Sequence, residues 1–142
     1  MRALFDLSVL IALLDDQHLD NAKAHRWFAD NRAGGWATCP LTQNGFVRIL
    51  SQPKYSSPVT VTEAFEHLHE ATEAEGHTFW PDDISLIDEQ LIDRNHVLGP
   101  KQLTDIYLLA LAVKHGGRLV TFDRAIPIAA VRGAKADHVV VP

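Results

Sequence analysis

Residues 103–124, LTDIYLLALAVKHGGRLVTFDR, constrain the fold of this chain more than any other stretch. Ile106, Tyr107, Leu108, Leu109, Leu111 and Val113 make a helix that is apolar nearly all round, and such a helix must be buried. Gly116 takes the position just past its end, where a left-handed backbone is favoured. Arg118 to Thr121 then reads as a short strand, and Asp123 stands immediately beyond it. Asp105 sits in the first turn of the helix. Leu4-Phe5-Asp6 repeats the strand-then-acid pattern near the other end of the chain. In a parallel α/β sheet the carboxyl ends of the strands share one edge, and sites are built along that edge. Asp6, Asp105 and Asp123 are therefore expected to meet in one cleft.

The remaining elements alternate in a manner that supports such a sheet. Residues 2–5 read as a first strand, followed by a short buried helix over Val9–Leu14. Asp20 is placed to cap a helix with Ala24, Trp27 and Phe28 on one face. Trp36–Cys39 reads as a second strand, and Pro40 and Thr42 introduce a helix carrying Phe46, Val47, Ile49 and Leu50. The loop SQPKYSSP, residues 51–58, leads to Thr60 and Glu63, which have capping-box spacing, and to a helix with Ala64, Phe65, Leu68 and Ala71. His77–Trp80 reads as a third strand. Asp83 is placed to cap a further helix burying Ile87, Leu91 and Ile92. Val139–Val141 reads as a fifth strand at the edge. The pattern predicts a single α/β domain over residues 1–142, with a central, mostly parallel sheet of four to five strands and helices on both faces.

Length and composition agree with one globular domain: 142 residues, 46% hydrophobic and 22% charged. No apolar run reaches the roughly 18 residues of a membrane helix. The N-terminal MRALFDLSVLIALLDD has the look of a signal sequence, but Asp6 interrupts it and no small-residue cleavage site follows. It reads as strand and helix, which points to a cytoplasmic protein with no membrane partner. The single Cys39 agrees with a reducing compartment and reads as a small core group. The formal charge of −5 is unlike the basic balance of a nucleic-acid binder. Any such surface must be a local patch, with Arg48, Lys54, Lys101, Arg124 and Arg132 as its candidates.

Each aspartate alone has an ordinary reading as a cap or turn residue. Together, converging carboxylates raise one another's pKa values, and a hard cation such as Mg²⁺ or Mn²⁺ resolves the conflict. The histidines do not form a zinc motif. Residue 73, four after His69, is Glu, and His67 and His69 point to different faces of a helix. Trp27, Trp36 and Trp80 flank core positions. Lys54-Tyr55 offers a ring for a base, with a solvated loop as the ordinary reading.

The segments LFDLSVLIALL, CPLTQNGFVRIL, LTDIYLLALAVKHGGRLVTFD and HVVV, in this order, resemble a PIN domain. More narrowly they resemble VapC-type ribonuclease toxins of toxin–antitoxin pairs, over essentially the whole chain. The resemblance implies acids after the first strand, opening the long helix and after the fourth strand, matched by Asp6, Asp105 and Asp123. The x-Ser that follows the first acid is matched by Leu7-Ser8. The family's Glu on the helix after strand two is matched by Gln43, which keeps an oxygen but lacks the charge. That departure implies weaker metal binding and attenuated activity, with Asp83 as a neighbouring acid that would compensate.

By this resemblance, Asp6, Asp105 and Asp123 hold Mg²⁺ or Mn²⁺, and Gln43 positions a water or ligand. On the chemistry of their side chains, Ser8 and Thr121 are candidates to order waters around the ion, and Arg124 is a candidate phosphate contact, with a surface ion pair as its ordinary reading. The implied activity is hydrolysis of a structured RNA, a tRNA or rRNA. The implied partners are the RNA, a cognate antitoxin and a second copy of the chain in a homodimer. The alternative is a catalytically inactive PIN module that binds antitoxin or RNA without cleavage, which Gln43 favours. A phosphatase-like hydrolase would need a D-x-D motif, which Asp6-Leu7-Ser8 lacks.

Overall fold

The computed structural model describes residues 1–142. Five short strands form one parallel sheet: β1 (Ala3–Phe5), β2 (Trp36–Thr38), β3 (His77–Phe79), β4 (Arg118–Val120) and β5 (Val139–Val140), in the order β3-β2-β1-β4-β5. All four pairings are parallel, with Leu4 opposite Ala37 on one side and Leu119 on the other. Five α-helices connect them: α1 (Leu7–Leu14), α2 (Asn21–Asn31), α3 (Pro40–Leu50), α4 (Val61–Glu73) and α5 (Leu103–Lys114). The expected single α/β domain with a central parallel sheet is what forms.

Strand alternation divides the core in two. Ala3, Phe5, Trp36 and Val120 turn to the face covered by α1 to α4, and Leu4, Ala37 and Leu119 turn to the face covered by α5. Both strand faces are thus buried, as a parallel sheet requires. Right-handed crossovers explain the layering. The chain moves from β1 outward to β2 and β3 with α1 to α4 on one face. It then returns past β1 to β4, which puts α5 on the other. The order in which strands are added therefore reverses between β1 and β4, the kind of switch point where α/β folds open a crevice.

The helix ends follow the local chemistry. The Thr60 side chain accepts the Glu63 N–H at 3.1 Å, the Thr half of the expected box. Gly116 has φ of 69°, the left-handed position expected after α5. Asp20 precedes α2 but its side chain makes no capping hydrogen bond. Phe65, expected on the buried stripe of α4, is 61% exposed, and only Ala64 and Leu68 of that helix are fully buried.

The segment after β3 departs most from expectation. Residues 81–93 contain turns and no α-helix. Ile92 is buried, but Ile87 is 88% exposed. The spacing of Ile87, Leu91 and Ile92 imitates a helical face, yet the chain here is tied down by irregular bonds. Asp93 N–H donates to the Ala130 carbonyl and Arg132 N–H to the Leu91 carbonyl. Ile92 forms an isolated bridge to Val131. Asp83 caps nothing. It pairs with His115 at 3.0 Å and Lys114 at 3.4 Å, at the C-terminal end of α5, while His115 stacks on Trp80 with centroids 4.7 Å apart.

The turn from α5 into β4 leaves no room for a side chain at Gly117. A Cβ there would stand 2.5 Å from the Arg2 carbonyl oxygen and 2.6 Å from the Trp80 ring. The same Arg2 oxygen accepts the Arg118 N–H that starts the β1–β4 pairing. Gly117→Ala is expected to destabilise the protein by about 2 kcal/mol or more, since backbone rather than a flexible side chain must yield. Equilibrium urea unfolding measures it.

Candidate active site

Asp6 ends β1 and begins α1, and its side chain serves both. The Oδ1 atom accepts the Val9 N–H at 2.9 Å, capping α1, and the Ser8 hydroxyl at 2.8 Å. The Thr121 hydroxyl, just past β4, bonds the same carboxyl. Asp6 is only 5% exposed. Burial raises its pKa, and the bonds from Thr121, Val9 and Ser8 act against that rise.

Thr121 Oγ1 also accepts the Asp123 N–H at 3.0 Å. One hydroxyl therefore links the acid after β1 to the acid after β4. The Asp123 Oδ1 accepts the Ala125 N–H at 2.7 Å, which holds the turn and leaves Asp123 exposed at the rim. Asp105, half-buried in the first turn of α5, completes the set. Burial, and then the carboxylates of Asp6 and Asp123, push its pKa up to about 6. The positive end of the helix dipole, which favours an ionised acid in a first turn, is outweighed.

These residues line a cleft of about 380 Å³ with Ser8, Thr104, Asn44 and Arg48. Gly45 makes the approach of α3 possible. A Cβ at that position would lie 2.6 Å from the Leu7 side chain, so glycine lets α3 pack against the start of α1 and presents Asn44 and Arg48 to the acids.

The structure brings Asp6, Ser8, Asp105 and Asp123 to one cleft, with Thr121 bonded beneath. It does not bring Gln43 there. The Gln43 Nε2 donates to Thr38 Oγ1 at 2.9 Å, and Gln43 lines an adjoining groove between α3 and α4. Asp83 is paired to α5, roughly 14 Å of helix away from Asp105. Arg124 is exposed and outside the cleft lining, and Arg132 is engaged by the Glu89 carbonyl and Asp93. Tyr55 is bonded to Asp15 and packs against the core on the α1–α4 face, which ties down the 51–58 loop and commits the ring. His67 and His69 are exposed.

Arg48, one of the scattered basic candidates, is the single cation lining the cleft, and sequence reasoning missed the roles of Asn44 and Thr104 altogether. Asn44 and Arg48 are four apart on α3, and that spacing was the available signal.

The donor set suits a hard divalent ion. The three acids present only oxygens, and beside burial the carboxylates of Asp6 and Asp123 raise the Asp105 pKa, a repulsion that a cation would relieve. The acids converge without closing: no three His, Cys, Asp or Glu side chains form a ready metal cage. Mg²⁺ is commonly held by one or two carboxylates with waters completing its shell, so an open arrangement of Asp6, Asp105 and Asp123 fits it.

An α/β domain with acids gathered at the β1/β4 switch point defines a class, and comparison with known proteins places the chain within it. A family model described as the PIN domain matches residues 3–132. Ribonuclease VapC44 of Mycobacterium tuberculosis is 51% identical over 138 residues, covering 97% of each chain. Ribonuclease VapC39 of the same organism is 45% identical over 134 residues, 94% of this chain and 96% of that one. The crystal structure of M. tuberculosis VapC20, titled a sarcin-ricin loop cleaving toxin, superposes with a TM-score of 0.63 at 13% identity, over 94% and 98% of the two chains. A toxin–antitoxin complex from Klebsiella pneumoniae superposes with a TM-score of 0.60 at 15% identity, over 97% and 95%. The chain belongs to the PIN domain family, and within it to the VapC type.

The raised pKa of Asp105 has a consequence for stability. A carboxyl whose folded pKa lies above its unfolded value of 3.8 contributes stability below that value, and loses it as pH rises through about 6. Asp6 shifts in the same direction. Asp105 and Asp6 thus contribute a loss of stability between pH 4 and 7 in the metal-free protein, opposed near its upper end by His77, whose lowered pKa acts the other way. Asp105→Asn should flatten that decline and raise stability at pH 7 by about 1 kcal/mol. Thermal melts across this range in EDTA check the sign. A variant less stable than the parent at pH 7 would make Asp105 a structural partner instead.

Proposed function

We propose that this chain is a divalent-metal-dependent endoribonuclease toxin, cleaving a structured RNA such as a tRNA or rRNA by water attack on a phosphodiester. The observation that carries the reading is the meeting of Asp6, Asp105 and Asp123, from three separate elements, in one cleft with Arg48 as its single cation. The ribonuclease names of relatives at 51% and 45% identity over nearly the whole chain support the same activity.

Asp6, Asp105 and Asp123 would hold the ion. Bound there, Mg²⁺ or Mn²⁺ supplies neutralisation of phosphoryl charge and a water of lowered pKa. The rest is the work of this chain's own groups. The Arg48 guanidinium offers paired donors to a phosphate. The Ser8 hydroxyl commits its hydrogen to Asp6 Oδ1 and keeps lone pairs for an ordered water. Thr121 holds Asp6 and the Asp123 backbone in fixed relation, a positioning role. The VapC type supports a cognate antitoxin that covers the acidic cleft and a homodimer, acting in the cytoplasm. No helix is long and apolar enough to cross a membrane.

A second reading has its own observation. Gln43 is neutral and bonded to Thr38, so the cleft has three acids where the family resemblance implies a fourth. This favours an attenuated enzyme or an inactive module that binds antitoxin or RNA. Cleavage of total tRNA and rRNA with Mn²⁺ separates the two. The parent chain should cut, and Asp6→Asn, which keeps the helix cap, should lower the rate about 100-fold or more. Gln43→Glu should raise it if the missing charge attenuates the site. No cutting by either the parent or Gln43→Glu establishes the binding module.

A further inference from the structure

A second cavity adjoins the acidic cleft and is larger. It lies between α3 and α4 and encloses about 620 Å³. The two cavities share Asn44 and Arg48 in their linings, so they adjoin along α3. Arg48 at the seam takes part in no ion pair of the molecule. Phe65 stands in the wall, 61% exposed, although α4 has an ordinary buried stripe on which it could have been placed. Four of its eleven lining residues are hydrophobic, and the others include Gln43, Ser51, His69 and Thr72.

The orientation of the Gln43 amide follows from its partners. Its Nε2 donates to Thr38 Oγ1. The Thr38 hydroxyl also lies within bonding distance of His77 Nε2, 2.8 Å away. Burial and the Arg2 guanidinium lower the His77 pKa, and the Thr72 backbone acts against them. With its Nε2 on Thr38, Gln43 Oε1 has no partner inside the protein. The groove thus offers a free guanidinium, an exposed aromatic ring and a fixed acceptor.

We propose that the α3/α4 groove is a nucleotide subsite for the strand that enters the acidic cleft. Its phosphate rests on Arg48, its base stacks on Phe65, and an N–H on the base edge donates to Gln43 Oε1. The proposal rests on the ribonuclease reading and extends it. Aromatic stacking, phosphate contact and an amide reader are the elements by which single-stranded RNA is gripped. The polar residues of the lining and the unpaired cation favour a nucleotide over an apolar helix. Gln43 then has a use that does not depend on negative charge, consistent with its place outside the acid cluster.

The test is binding of a 5′-fluorescein-labelled, random-sequence single-stranded RNA heptamer by fluorescence anisotropy, in EDTA so that no strand is cut. Phe65→Ala should weaken binding about tenfold, and Phe65→Tyr should restore it. Arg48→Ala should weaken binding and reduce the slope of log K against log salt by about 0.7, one phosphate's worth, while Arg48→Lys keeps the slope. Leu19→Ala, on the fully exposed loop before α2, is the neutral control. Circular dichroism confirms that the variants fold. Heptamer binding that is unchanged by Phe65→Ala overturns the proposal and returns the groove to a protein partner. Cleavage of total RNA with Mn²⁺, run in parallel, keeps the two readings apart. Cutting by the parent with no effect of Phe65 sinks only the subsite, whereas no cutting by either the parent or Gln43→Glu removes the ribonuclease reading itself.

Discussion

The Asp6 carboxylate is the interaction on which the architecture and the site both depend. It terminates β1, caps α1 through Val9, and is tied through Thr121 to the end of β4. A cap of this kind is worth about 1 kcal/mol, so removing it would cost little by itself. The larger effect is geometric. Because one buried side chain satisfies both flanking elements, the switch point between β1 and β4 is held at a single spacing, and Asp123 is drawn toward Asp6 through the shared hydroxyl.

That economy has an electrostatic cost. A third carboxylate, Asp105, arrives from α5 into a neighbourhood already negative and partly dry, and its pKa rises accordingly. Folding alone does not relieve this. The buried hydrophobic faces of the sheet, Phe5, Leu4, Leu119 and Val120 among them, supply the stability that lets the cleft stay under-neutralised. The folded scaffold thus carries the repulsion among the three acids.

Much of this was legible in the chain. The strand-then-acid pattern at Asp6 and Asp123, the all-round apolar α5 with Asp105 in its first turn, and the Gly116 stop identify a parallel α/β sheet and its site edge. These features are local, and local chemistry sets them. The misreadings share a different cause. Ile87, Leu91 and Ile92 have helical spacing, but backbone bonds from distant Ala130 and Arg132 organise that segment instead. Asp83 looked free to compensate for Gln43, and Tyr55 to stack on a base, until Lys114, His115 and Asp15 were found to engage them. Arg48 and Arg124 are indistinguishable as letters, and only one of them faces the acids.

The sequence by itself determined which residues are apolar, where the five α-helices lie to within a few residues, and which acids follow strands, because periodicity, capping and turn chemistry act over a few residues. It also determined the family, since those short signatures occur in a fixed order. The tertiary structure alone decided which side chains share a cavity. Gln43 turned to Thr38 because that hydroxyl and His77 lie across β2 and β3 within bonding distance. Gly45 admitted α3 to the start of α1, and Arg48 thereby came to stand between two hollows. Such outcomes depend on contacts between positions tens of residues apart, and those contacts exist only once the sheet has closed and its helices have packed.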